Sequence, residues 1–241
     1  GKNRAKLTIA KGARGGIYRV AKLDKKYFSP ETSVQTVAVY VTLEEIILGT
    51  VSLGELYTNI LEGFEEIVYK EVFNALAAGQ SSAGTGYSAK TVNTQKAALG
   101  SAIDQVLPVV KAYGIPTIFG SHAALSNIYN PLASTSGYPN IEDSSDIRKY
   151  GFVQVYKGVR CVELPNYLVD SSNTEWFYED DKVFVIPSGT QPVKVALKGD
   201  LTLIRNTQAV GSEKWEAHKM VGVGVAMANN YAVITVSDLH N

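Results

Sequence analysis

Cysteine is nearly missing from this 241-residue chain: Cys161 stands alone. One thiol cannot close an internal disulfide, and it excludes metal clusters built on cysteine. That fits a reducing cytoplasm. Net charge is missing too, with 23 basic residues balanced by 23 acidic ones. The chain as a whole is therefore no dedicated nucleic-acid binder, and any polyanion contact must come from a local patch. No apolar run approaches the roughly 20 residues of a membrane-spanning helix, and no secretory signal is visible. Histidine is scarce: His122, His218 and His240 are scattered without ligand-like spacing, which leaves no metal motif. Nothing implies a cofactor.

Recognisable catalytic motifs are also missing. Residues 79–88 (GQSSAGTGYS) have the glycines of a phosphate-binding loop but no lysine, and they follow a helical pattern rather than opening one. No Gly-x-Ser-x-Gly elbow occurs. Glu44-Glu45 and Glu65-Glu66 are adjacent pairs, and adjacent residues on a helix point about 100° apart. Neither pair makes a convergent acid–base site. A small-molecule enzyme of α+β type lacks any constellation of titratable groups to support it.

What is present is a sharp segregation of charge. From Gly1 to Lys26 nine basic residues face the single acid Asp24. From Leu43 to Glu71 seven glutamates face the single base Lys70. A neutral chain divided in this way can use one half as a socket for the other half of a neighbour. The pattern suggests a self-assembling subunit before a catalyst.

The patterning expects α+β architecture. Lys6–Lys11 and Ile17–Leu23, joined by a glycine-rich turn, read as a β-hairpin arm. Ser33–Thr42 is a β-branched strand. Ser52 and Glu55 form a capping box for a helix from Leu53 to Ala78. Its apolar stripe is Leu53, Leu56, Ile60, Phe64, Ile67, Val68, Val72 and Leu76, and Gly79 ends it. A second helix is expected from near Thr94, burying Ala98, Leu99, Ala102, Ile103, Val106 and Val110, with Pro108 inside it. A strand at Thr117–Phe119 and a short helix at Ser121–Tyr129 follow. Asn130–Asp146 reads as a long exposed loop. The remainder reads as β: a hairpin turning at Lys157-Gly158, then Lys182–Ile186, Val193–Leu197, Leu201–Arg205 after Gly199-Asp200, Val221–Met227 and Tyr231–Val236. Gly222, Gly224 and Ala226 share one face of their strand, which lets another backbone approach closely.

This order of elements resembles the major capsid protein family of tailed bacteriophages, whose fold is shared with encapsulin shells. VAVYVTLEEIILG (residues 37–49), PTIFGSHAALSNIYN (116–130) and the C-terminal run from KVFVIPSG (182–189) through PVKVALKGDLTLI (192–204) to KMVGVGVAMANNYAVI (219–234) carry the resemblance. It covers the chain from about Lys6 to Val236.

The resemblance implies an extended arm at residues 1–36. It implies a peripheral domain at 37–90 and about 191–225, with its spine helix at 53–78, and an axial domain at about 91–190 and 226–241. It implies a structural protein, not an enzyme, that assembles into pentamers and hexamers of an icosahedral shell around double-stranded DNA. The alternative is an encapsulin-like compartment around protein cargo. Scaffolding protein, portal and decoration proteins would be the further partners, with DNA on the inner face and no membrane. The virion capsid would be its location and the host bacterial cytoplasm its place of assembly. The chain begins at Gly1 rather than methionine; proteolytic maturation and a start further upstream both fit. Some family members form Lys–Asn crosslinks between subunits. Lys6 and Lys11 lie in the right arm, but no partner motif matches, so that chemistry is not carried over. Charge and resemblance together place the inter-subunit contacts on Lys6, Lys11, Arg14, Arg19 and Lys22 of the arm and on Glu44, Glu45, Glu55, Glu62, Glu65 and Glu66 of a neighbour.

Overall fold

A computed structural model describes residues 30–49, 52–79, 88–128, 141–189, 191–208, 212–226 and 228–239. Strand β1 (Ser33–Thr42) leads into the short helix α1 (Leu43–Ile47) and then the spine helix α2 (Leu53–Ala78). Strand β2 (Lys90–Thr94), a 3-10 turn at Lys96–Ala98, helix α3 (Leu99–Lys111), strand β3 (Pro116–Gly120) and helix α4 (His122–Leu125) follow. Helix α5 (Ile141–Tyr150) precedes the hairpin of β4 (Val155–Tyr156) and β5 (Val159–Glu163). The chain ends with β6 (Lys182–Pro187), β7 (Val193–Gln208), β8 (Ser212–Val225) and β9 (Ala232–Val236).

Two sheets result. A three-stranded antiparallel sheet has the order β1-β8-β7, and a six-stranded mixed sheet has the order β2-β9-β6-β3-β5-β4. The six-stranded sheet is covered on both faces. Val183, Val185, Ala232 and Ile234 meet Leu99, Ile103, Val106 and Val110 of α3 on one face. Phe184, Tyr231 and Val233 meet Phe73 and Leu76 of α2 on the other. Double coverage is why KVFVIP and AVITV read as near-continuous apolar runs rather than alternating ones.

Helix α2 spans both sheets. Its capping box forms as the sequence expects: the Glu55 amide donates to Ser52 Oγ at 3.1 Å, and the Ser52 amide donates to Glu55 Oε2 at 3.2 Å. Leu56, Ile60 and Phe64 pack on the three-stranded sheet against Ala217, Val37, Val39 and Leu203. Phe73 follows Phe64 by nine residues, about half a turn round a helix of 3.6 residues per turn. The expected single stripe is therefore a pair of stripes on opposite sides. One faces each sheet, and Ile67, Val68 and Val72 between them are only half-buried. Fully burying each large apolar side chain stabilises by about 1.5–3 kcal/mol, so the two ends of the helix are anchored independently.

Several expectations need correction. Residues 90–94 form a strand, parallel to β9, so the second helix begins at Leu99 and Ala98 is exposed. The pull is tertiary: β2 completes the sheet over α3. Helix α5 takes residues 141–146 of the loop expected at 130–146, and the rest of that expected loop, residues 130–140, lies outside the described set. Val193–Leu197 and Leu201–Arg205 are one strand, its pairing irregular between Lys198 and Thr202. Gly199-Asp200 therefore shifts the register instead of breaking the strand. The Lys157-Gly158 hairpin is as expected, with φ of 48° and 77°, the positive pair that a tight two-residue turn needs. The close approach at Gly222 is also as expected: a Cβ there would overlap the Glu31 carbonyl oxygen and press on Thr32 Cγ2 at 2.9 Å.

Candidate assembly surfaces

The acidic surface is built on α1 and α2. Glu44, Glu45, Glu55, Glu62, Glu65 and Glu66 are all exposed. Glu45 and Glu55 also serve their own chain. The Thr42 amide donates to Glu45 Oε2 at 2.9 Å, and the Glu45 amide donates to Thr42 Oγ1 at 3.3 Å, a second capping box like that of Ser52 and Glu55. These bonds from Thr42 hold the Glu45 carboxyl below its ordinary range. Glu66 faces the Tyr167 hydroxyl. Desolvation and then that carboxylate push Tyr167 up to about 12. Glu44, Glu62 and Glu65 complete the acidic surface. The arm residues Lys6, Lys11, Arg14, Arg19 and Lys22 lie outside the described residues.

Apolar groups that the sequence reading missed lie beside these charges. Tyr57, Leu61 and Tyr69 are exposed on α2, and Ile47 and Leu48 at the end of α1 are 74% and 77% exposed. Tyr57, Leu61 and Tyr69 recur at spacings of four and eight, the helical spacing that could have signalled a second apolar stripe.

The outer face of the three-stranded sheet, turned away from α2, carries a polar chain. Thr36 Oγ1 and His218 Nδ1 are 2.9 Å apart, His218 Nε2 lies 3.7 Å from Glu216 Oε2, and Lys214 Nζ is 2.5 Å from Glu216 Oε1. The hydrogen bond from Lys214 lowers the Glu216 carboxyl. The signal for this network is the period-two spacing of Lys214, Glu216 and His218. It becomes readable only once Ser212–Met220 is recognised as strand.

A compact loop between β5 and β6 rests on α2. Tyr167 stacks on Phe177 at 4.8 Å between centroids, Lys70 Nζ sits 5.7 Å over the Phe177 ring, and Phe73 packs against Tyr178 at 4.3 Å. Asp170 ties the loop's turn. Its carboxylate accepts from the Thr174 hydroxyl at 2.6 Å and from the Glu175 amide at 2.8 Å, and is held at about 2.

Chemistry finds no convergence here. Among the described residues no three His, Cys, Asp or Glu groups are placed to share a metal ion. His122 pairs with Glu163 at 3.6 Å and packs edge-on against Phe152, far in sequence from His218 on its own strand. Cys161 is buried, and that burial pushes its thiol up to about 11, which makes it a packing residue rather than a nucleophile. No described helix is long and apolar enough to cross a membrane.

A spine helix laid between two sheets, with charged and apolar surfaces turned outward, is the fold of phage capsid proteins and encapsulin shells. Solved structures agree. A chain of the satellite phage P4 procapsid, which includes the size determination (Sid) protein, is similar with TM-score 0.62 at 9% identity, over 96% of this chain and 80% of that one. The bacteriophage PhiM1 mature capsid gives 0.57 at 11% identity, over 96% and 79%. The SrpI encapsulin of Synechococcus elongatus PCC 7942 gives 0.52 at 13% identity, over 87% and 75%. No curated protein matches in sequence. The chain belongs to the family described as "SPbeta prophage-derived putative capsid protein YonB", whose family model matches residues 2–237. Membership in a prophage capsid family favours the phage reading over the encapsulin one, because encapsulins enter only through likeness of fold.

Proposed function

We propose that this chain is the repeating structural subunit of an icosahedral phage shell. It forms pentamers and hexamers that close around double-stranded DNA, with no catalytic role. The three-stranded sheet and α2 form its peripheral domain, residues 37–90 and about 191–225. The six-stranded sheet forms its axial domain, about 91–190 and 226–241. The residues before β1, which the sequence reading extended to residue 36, are an arm that reaches over an adjacent subunit, where Lys6, Lys11, Arg14, Arg19 and Lys22 meet Glu44, Glu62, Glu65 and Glu66, with Glu45 and Glu55 adding field from their caps. The observation that carries this reading is the exposed acidic surface of α1 and α2 in a chain whose compensating positive charge lies in the arm.

Exposed ion pairs contribute only about 0.2–1 kcal/mol each and are screened by salt. They set register and partner choice, while apolar and backbone contacts repeated over many copies hold the shell. Scaffolding, portal and decoration proteins complete the partners, and assembly takes place in the bacterial cytoplasm. Sedimentation tests the reading. The native chain forms species far larger than a monomer, and reversing Lys6, Lys11, Arg14 and Arg19 to Glu shifts them toward smaller ones. Indifference to the reversal contradicts the arm contact. Nuclease-protected DNA inside particles supports the phage shell, and a co-purifying enzyme cargo supports the compartment.

A further inference from the structure

The two edges of the three-stranded sheet are unlike. β7 carries Lys194, Lys198, Asp200 and Arg205, and its register shifts between Lys198 and Thr202. Charges and irregularities of this kind keep foreign strands off an edge. Among the described residues, β1 forms the other edge. Its ten residues, SVQTVAVYVT, include no charge and no proline, and pair with β8 in unbroken register. Val34 and Tyr40 are 57% and 60% exposed. A long, regular, uncharged edge is the template that strand addition uses.

Three observations select the occupant. First, this chain's own backbone enters β1 from the other side. At Glu31–Thr32 it already lies over Gly222 of β8, and β8 flanks β1 opposite the open edge. Second, the edge runs into Glu44 and Glu45 of α1. Antiparallel pairing with the β1 of another copy would bring that copy's Glu31 toward those glutamates, like charge against like. Third, the arm segments that read as strands, Lys6–Lys11 and Ile17–Leu23, carry Lys6, Lys11, Arg19 and Lys22. Their charge complements that end of the edge.

Resting on the reading that the arm reaches a neighbour, we propose that one strand of the basic arm of a second copy adds to the open edge of β1, extending the three-stranded sheet across the subunit boundary. Main-chain hydrogen bonds then supply the attachment, and the lysines and arginines fix which end of the strand meets α1.

Co-assembly of two cysteine variants tests this. One carries Ala38→Cys on β1, and the other carries a cysteine scanned singly through residues 7–10 and 17–20. Cys161 stays in place, because its buried thiol is held far from the thiolate form. Strand addition predicts disulfide-linked heterodimers in the particles that alternate with period two along one arm strand. Glu65→Cys replaces Ala38→Cys in a parallel assembly. Heterodimers formed with Glu65→Cys alone overturn strand addition and leave the arm contact standing. Heterodimers with neither overturn both. Linkage of Ala38→Cys to itself overturns the proposal in favour of paired β1 strands, and linkage within single chains that carry both cysteines, diluted by unmodified chains, overturns it in favour of the chain's own arm. Hydrogen exchange on the unsubstituted protein gives a second reading. The peptide spanning Ser33–Thr42 slows markedly on assembly if its edge becomes paired, and unchanged exchange contradicts the proposal.

Discussion

The Tyr231 hydroxyl donates to the Leu76 carbonyl at 2.8 Å and occupies the space where a Cβ on Gly79 would lie. The last turn of the spine helix is thereby joined to the start of β9, the second strand from one edge of the six-stranded sheet. Gly79 has helical backbone angles, φ −62° and ψ −6°, so it is required here for space and not for conformation. Gly79→Ala must displace the ring and should cost about 1–3 kcal/mol as overpacking. Tyr231→Phe, which loses only the hydrogen bond, should cost about 1 kcal/mol. Denaturant unfolding of unassembled subunit separates the two.

The two stripes of α2 make a second prediction. Phe64→Ala and Phe73→Ala should each destabilise by about 3–5 kcal/mol, but in different places. The first should speed hydrogen exchange mainly in β1 and β8, the second mainly in β6 and β9. Exchange that rises equally in both sheets for either variant would contradict independent anchoring.

This division was the least legible part of the helix in the sequence. Ser52, Glu55 and Gly79 marked its ends because caps are local, and so the bounds agree with the structure. Phe73 fell off the stripe because the partner changes along the helix, from Ala217 on one sheet to Phe184 on the other. Periodicity presumes one partner. The strand at residues 90–94 went unread, and the helix was begun near Thr94, for a similar reason, since that strand exists by pairing with β9, far along the chain. Gly222 announced a close approach correctly but not its source, because which backbone arrives is decided by topology. The glutamates of the acidic surface were legible as a charge run. That Glu45 and Glu55 double as caps was legible only for Glu55.

Asp170 gives a pH prediction. Its folded carboxyl is depressed to about 2, first by the Thr174 hydroxyl and then by the Glu175 amide, against an ordinary value of about 3.9 in an unfolded chain. A depressed carboxyl contributes stability above its unfolded pKa and loses it as pH falls through the folded one. The loop should therefore loosen between about pH 4 and pH 2, seen as faster exchange in residues 166–178. Asp170→Asn should remove most of that dependence.

Gly222→Ala tests the crossing at Glu31. The added methyl collides with the Glu31 carbonyl, so the segment entering β1 must lift from β8. The subunit should remain folded, with near-native denaturant midpoint, while assembly weakens because the arm leaves along a different path. A variant that assembles like the native protein would show that the crossing does not direct the arm.

The central claim is that this chain closes into shells, and negative-stain electron microscopy of the purified protein tests it most directly. The protein is expressed together with any coding region upstream of Gly1, with and without a co-expressed candidate scaffolding protein. Rings of five and six subunits, or uniform closed particles, are the predicted result. Dispersed compact monomers across protein concentration and salt would contradict it.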